Sequence, residues 1–318
     1  MREYPFELAL CSHLEATTGH VVARQVGAGV HAPSNRVLDV LCVAPGSEFD
    51  ERAALTSERI PDAAIEADVG VGRARHWRDA VDASPEHARR VVDRAVEVGF
   101  FERERRGGRE FVRQTARYPD WFGRLVGVEN KPDLGDPGDL RTQLRKDVSL
   151  ALVDRVVLAT ESYVTRAHRN RVPDAVGIWR FDPETGEREV VRDPSPLAAH
   201  ESGLELLDTH PGRTDVRVAS AAAKARQRRR MAERAYGKGW RPDDLPACAE
   251  AAVRDGGLPH CEWKGRVVDP RNCGPDCPGH DPADPPDLDS DAERDARSPW
   301  VADPEGRARR QTGLDRFG

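Results

Sequence analysis

The stretch that most constrains this chain is Arg124-Leu-Val-Gly-Val-Glu-Asn-Lys-Pro-Asp133. It reads as a buried strand, apolar at Leu125, Val126 and Val128, that ends in two charges, Glu129 and Lys131. Strand side chains alternate faces with period two, so both charges project from one face about one pleat apart. A carboxylate and an ammonium at the end of an apolar strand are costly to bury, and the ordinary explanation is an ion pair at a strand edge. Lysine is scarce here, however: the chain has five, against 44 arginines. Upstream, Arg36-Val-Leu-Asp-Val-Leu-Cys-Val43 is a second apolar run, interrupted by one carboxylate, Asp39. Downstream, 139–150 has helical spacing at Leu140, Leu144 and Val148 and carries Gln143. Residues 155–160 then return as a strand.

Asp on one strand, Glu-x-Lys on the next, then a helix with Gln and another strand: this order resembles the PD-(D/E)XK nuclease superfamily, which includes restriction endonucleases and archaeal Holliday-junction resolvases. The resemblance covers about residues 5–50 and 123–192. It departs from the pattern before Asp39, where Leu38 stands in place of proline. The resemblance implies an α/β fold, a restriction-endonuclease-like mixed sheet flanked by helices, and metal-dependent hydrolysis of DNA phosphodiester bonds. Asp39 and Glu129 would hold Mg²⁺, helped by the Asn130 backbone carbonyl, since Mg²⁺ prefers hard oxygen ligands. Lys131 would orient the attacking water and stabilise the transition state. Gln143 would fix the nucleophile or the backbone. The first helix often supplies a further carboxylate in this superfamily, and Glu7 and Glu15 are both candidates. DNA is the implied partner, and a second copy of the chain is compatible with the class. The alternative is a non-catalytic DNA-binding regulator with a decayed nuclease core.

A chain of 318 residues is long enough for one large or two modest domains. No apolar run approaches the roughly 20 residues needed to span a bilayer, so no membrane partner is expected. The N-terminal Met-Arg-Glu-Tyr-Pro lacks the apolar core of a secretory signal, which points to the cytoplasm. The chain is 33% charged with a net charge of −6, a balance suited to high salt. Salt screens charge and weakens phosphate binding, so an acidic total does not exclude a nucleic-acid partner.

Taken in order, residues 4–16 form a helix, 20–26 a first strand, and 1–46 with 121–195 the nuclease-like core. Residues 47–120 carry helices over 60–67 and 72–81 and a third opened by Ser84-Pro85, then a hairpin turning at Gly107-Gly108. That pattern predicts an inserted winged helix-turn-helix whose third helix, with His87, Arg89, Arg90 and Arg94, would enter a groove. A helix is expected over 161–169 and paired strands within 171–192. Residues 196–240 are expected to be a basic helical segment, with an Ala-rich helix over 216–235 able to track phosphates or to lie solvated. Residues 241–281 hold Cys248, Cys261, Cys273, Cys277, His260 and His280. Thiolate and imidazole suit tetrahedral Zn²⁺, a structural ion for a segment with little core of its own. A 4Fe-4S cluster, with Cys11 as a further ligand, is the competitor. Cys11 and Cys42 otherwise read as buried thiols. Residues 282–318, rich in Asp, Pro and Arg, read as disordered.

Overall fold

The computed structural model describes residues 3–32, 36–136 and 138–306. Packing divides the chain into two units: the first takes the chain up to Gly46 together with Phe122–Ala302, and Ser47–Trp121 forms the bulk of the second. Three elements open the first unit: α1 (Glu3–Thr18), β1 (Val21–Gly27) and β2 (Val37–Pro45). The second unit follows with α2 (Phe49–Ala53), α3 (Asp62–Ile65), β3 (Arg75–His76), α4 (Trp77–Ala80), α5 (Pro85–Glu97), β4 (Phe101–Arg106) and β5 (Arg109–Gln114). The chain then re-enters the first unit with β6 (Phe122–Asn130), α6 (Leu140–Leu150), β7 (Arg155–Thr160), α7 (Arg166–Arg169), β8 (Gly177–Phe181) and β9 (Arg188–Arg192). A hairpin of β10 (Gly203–His210) and β11 (Arg213–Ala219) precedes α8 (Ala221–Lys238). Last come β12 (Ala251–Arg254), β13 (Leu258–Cys261), β14 (Arg266–Val267) and α9 (Ser290–Arg297).

The first unit is built on a six-stranded mixed sheet in the order β1-β2-β6-β7-β8-β9. The β1, β2 and β6 strands pair antiparallel, β6, β7 and β8 pair parallel, and β9 is antiparallel to β8. A parallel step requires a crossover, and α6 supplies it between β6 and β7. The apolar runs of β2, β6 and β7 are buried nearly end to end, as strands covered on both faces must be. On one face α1 lays Phe6, Leu10 and Leu14 against Val40, Val126, Val128 and Phe181. Each such side chain contributes roughly 1.5–3 kcal/mol on full burial. The helix ends where the Thr17 and Thr18 hydroxyls bond back to the His13 and Leu14 carbonyls and Gly19 takes φ 64°. An α/β fold with a mixed sheet flanked by helices is therefore what the sequence pattern implied.

The second unit has a three-stranded antiparallel sheet, β3-β5-β4. Ser84 caps α5 by accepting the His87 N–H, Pro85 opens the helix, and Ala88, Val91, Val92 and Ala95 form its buried stripe. The β4–β5 turn has Gly107 and Gly108 at φ 55° and 78°, the doubly left-handed geometry of a two-residue hairpin.

Several expectations are corrected. Residues 72–81 are not one helix: Arg75-His76 pairs with β5, and only Trp77–Ala80 is helical. Of 161–169, only Arg166–Arg169 is helical. The 196–240 segment is a hairpin followed by a helix, because Thr214-Asp-Val-Arg-Val alternates with period two and extends as β11. Its helix is not a free basic face. Lys224 is buried and donates to the Ala198 carbonyl at 2.9 Å, and Arg228 donates to the Leu152 carbonyl and to Asp154, each at 2.9 Å. Residues 282–306 are not featureless either. Asp289 caps α9, Arg294 is buried with Nη2 on the Tyr236 carbonyl at 2.6 Å, and Trp300 is buried beneath it. The rest of that expected tail, 307–318, lies outside the described residues.

Candidate active site

β2 and β6 pair with Val40 opposite Val128, and beyond that pair the two strands bring Asp39, Glu129 and Asn130 to one end of the sheet. Asp39 Oδ2 accepts the Asn130 backbone N–H at 2.9 Å. Its Oδ1 lies 3.4 Å from Gln25 Nε2, and the same amide donates to Glu7 Oε2 at 2.9 Å. Asn130 Nδ2 donates to that Glu7 oxygen at 2.8 Å, and Arg24 Nε holds Glu7 Oε1 at 2.8 Å. Glu7 and Asp39 thus share two amide side chains or N–H groups from neighbouring strands. Gln25 reaches them from φ 53°, a left-handed conformation that costs a non-glycine residue about 1–3 kcal/mol and clusters at functional sites.

Glu129 turns toward α6. The Arg36 guanidinium contacts Glu129 Oε2 and forks onto Asp147, with Nε and Nη2 each 2.8 Å from a carboxylate oxygen. Arg36, Glu129 and Asp147 are all buried. The acidic end therefore has two lobes, Glu7 with Asp39 and Glu129 with Asp147. They remain electrostatically linked. Burial, and next the charge of Asp39, push Glu129 up to about 8, against the pull of Arg36. Burial raises Asp39 as well, opposed by the Asn130 N–H. Glu7 is also raised, chiefly by burial, with Arg24 opposing and Asp39 adding. In all three the largest cause is burial, which disfavours the charged form.

The other expected residues fall as follows. Lys131 Nζ donates to Glu3 Oε1 at 2.5 Å, and that bond is the main reason its pKa rises. It lies within the field of Glu129, but no hydrogen bond joins it to Asp39 or Glu129 among the described residues. Glu15 is not at this site: its carboxylate takes Arg241 Nη1 and Nη2 at 3.1 and 2.8 Å. Gln143 is half-buried on α6, and one turn later Asp147 takes the Arg36 guanidinium. Asn130 enters through its side chain, and its Oδ1 is buried without a hydrogen-bond partner among the described residues. Sequence reasoning missed Arg24, Gln25, Arg36 and Asp147. Asp147 could have been found, because positions i and i+4 share a helix face with Gln143.

Among the described residues, no three His, Cys, Asp or Glu side chains are grouped so as to hold a metal ion. The donor chemistry at the strand ends nevertheless fits a hard divalent cation. Asn130 donates through its side-chain amide to Glu7 and through its backbone N–H to Asp39, and its buried Oδ1 accepts no hydrogen bond among the described residues. Carboxylate and amide oxygens are the ligands such a cation takes. In the C-terminal segment Cys248 and Cys261 are buried and Cys273 and Cys277 half-buried, all as free thiols. Cys11 lies in the α1 core, where burial raises its pKa well above the usual thiol value.

No helix among the described residues is long and apolar enough to cross a membrane. The chain belongs to a family of unknown function, DUF5787, whose model matches residues 21–282. No curated protein and no solved structure matches it. The matched range runs from β1 through the Cys-rich segment and contains Asp39, Glu129 and all four C-terminal cysteines.

Proposed function

We propose that this protein is a divalent-metal-dependent hydrolase of DNA phosphodiester bonds. The observation that carries the reading is the meeting of Asp39 and Glu129 where β2 and β6 run on past the Val40–Val128 pair, with Glu7 of α1 joined to Asp39 through Gln25 and Asn130. Buried carboxylates of this kind cluster at functional sites more often than elsewhere. The order of elements (helix, three antiparallel strands, helix, parallel strand) also suits the PD-(D/E)XK resemblance. Asp39, Glu129, Glu7 and Asn130 Oδ1 would hold Mg²⁺. The ion would supply charge neutralisation at the scissile phosphate and an acidified water. Arg36 fixes Glu129 and Asp147 in one orientation, and Arg24 does the same for Glu7. Lys131, at the mouth of the site, would exchange Glu3 for a phosphate oxygen and stabilise the charge that develops there. Burial pushes Glu129 up to about 8, so protons should compete with Mg²⁺ for the site and the cation should bind more tightly as pH rises.

In the second unit α5 would approach the DNA as the reading helix of a winged helix-turn-helix. Its cations are engaged in the free protein: Arg89 with Glu110, Arg90 with Glu86, Arg94 with Glu58 and Glu97. Contact with phosphates would exchange those pairs, so this binding should weaken steeply with salt.

The Arg36 clamp favours a second reading, a DNA-binding regulator with a decayed core, because a guanidinium already compensates Glu129. Incubation with branched, single-stranded and duplex DNA in high KCl, with and without Mg²⁺, separates the two. Cleavage that needs Mg²⁺ and vanishes in Asp39→Ala and Glu129→Ala supports the hydrolase, with Lys131→Ala binding DNA normally but turning over slowly. DNA retention with no cleavage of any substrate supports the regulator.

A further inference from the structure

The segment from Cys248 to Asp281 keeps its shape with little apolar packing. Its three-stranded sheet, β12-β13-β14, has Leu258 and Val268 as buried aliphatic side chains beside Cys248 and Cys261, while Trp263 is 53% exposed. Two aliphatic side chains offset only a small part of the entropy of ordering more than thirty residues, at about 1–2 kcal/mol per residue. No disulfide substitutes for that core, since every cysteine is free.

The backbone nevertheless gathers the thiols from four separate places. Ala249 N–H donates to the Asp281 carbonyl at 2.7 Å, and Asp281 N–H points back at Cys248 Sγ at 3.5 Å. This joins the strand entry to the turn that contains Cys277. Ala251 is the register partner of Cys261, so Cys261 lies across the sheet from the chain leaving Cys248. Cys273 and Cys277 flank a tight turn closed by Cys277 N–H on the Gly274 carbonyl at 2.9 Å. Cys261, Cys248 and Cys277 all lie within the electrostatic field of Cys273, as does Lys264. A backbone N–H aimed at a cysteine sulfur and a two-cysteine turn are features that steady thiolates around a metal.

We propose that Cys248, Cys261, Cys273 and Cys277 bind one structural Zn²⁺ that holds β12–β14 and the 273–281 turns together. Among the described residues no three of these groups are already placed around a common point, so binding must draw the four sulfurs to about 2.3 Å from the ion. Four thiols release four protons to solvent as four Zn–S bonds form, leaving a site with a net charge of −2. Lys264, Arg266 and Arg271 line the same cleft as Cys273 and Cys277, but Asp269, which holds Arg271, and Asp276 line it too, so Lys264 and Arg266 offset only part of that charge. No oxidation or reduction is involved. The proposal is independent of the hydrolase reading, because its ligands are the four cysteines alone.

The test uses the full chain, expressed with zinc and purified without chelators. Elemental analysis should give about one zinc per chain. Titration of the native protein with an organomercurial should release that zinc in step with four thiols. Cys273→Ser and Cys277→Ser should each lower zinc content at least tenfold, while Cys42→Ala and His280→Ala keep it. The organomercurial titration needs no variant, so a misfolded mutant does not blunt the test. Iron with visible absorbance in place of zinc, zinc lost in His280→Ala, or no metal with all four thiols freely alkylated in the native protein would each overturn the assignment.

Discussion

The two units use the same arginine-rich composition in opposite ways. In the first, beside surface pairs such as Arg254 with Glu262, several charges go inside: Arg36 between Glu129 and Asp147, Arg241 on Glu15, Arg228 on Asp154, and Lys224 on a carbonyl. In the second they pair on the surface, as with Arg94 on Glu58 and Glu97 or Arg90 on Glu86. Arg52 is the exception there, buried with Nη1 on the Thr56 carbonyl. Exposed pairs contribute little, because water already solvates both partners and salt screens them. Buried charges are different: each needs a partner, and removing one strands the other. The difference teaches where function can reside. A buried group whose compensation is incomplete can gain from a ligand, whereas a solvated pair gains little.

That contrast predicts a graded set of effects. Arg36→Met should be the most damaging, about 3–5 kcal/mol in urea unfolding, since Glu129 and Asp147 both lose their cation. A loss below about 1 kcal/mol would mean that these buried pairs contribute no more than exposed ones. The pH dependence is next. Folding raises Glu129 from 4.5 to about 8, so the folded chain holds a proton that the unfolded chain releases. Stability from this group is full below 4.5, and it declines as pH rises to about 8. Metal-free protein should therefore melt at falling temperature across that window, and Glu129→Gln should flatten the profile. Calorimetric scans at several pH values check it, and an equally steep slope in the variant would place the proton elsewhere. The smallest effect belongs to the second unit: Arg94→Ala should cost at most about 1 kcal/mol and less in high salt. A larger loss would mean the surface pairs hold that unit together.

Much of the sheet was legible because β2, β6 and β7 are apolar runs broken at informative places, Asp39 and Glu129 among them. The partners of those residues were harder to see. Arg36 opens the strand that carries Asp39, and in sequence it looks like any solvated residue at a strand start. Nothing local says that its guanidinium folds back onto β6 and α6. Asp147 was hidden behind Gln143, the more familiar residue, although helical spacing puts both on one face. Gln25 depends on a left-handed backbone that no composition announces. β11 was merged into the following Ala-rich helix because its arginine and valines satisfy both periodicities over so few residues. The α9 helix has almost no apolar pattern, being held by the burial of Arg294 and Trp300.

The central claim is that Glu7, Asp39 and Glu129 form a cation site, and thermal unfolding against a Mg²⁺ titration in high KCl at pH 8 tests it most directly. A ligand that binds only the folded chain raises its melting temperature by mass action. The account predicts that Mg²⁺ raises the melting temperature of the wild type. It also predicts that Asp39→Asn, relieved of one repelling charge, melts higher than the metal-free wild type and no longer responds. Equal responses in both proteins, or none in the wild type up to millimolar Mg²⁺, would contradict it.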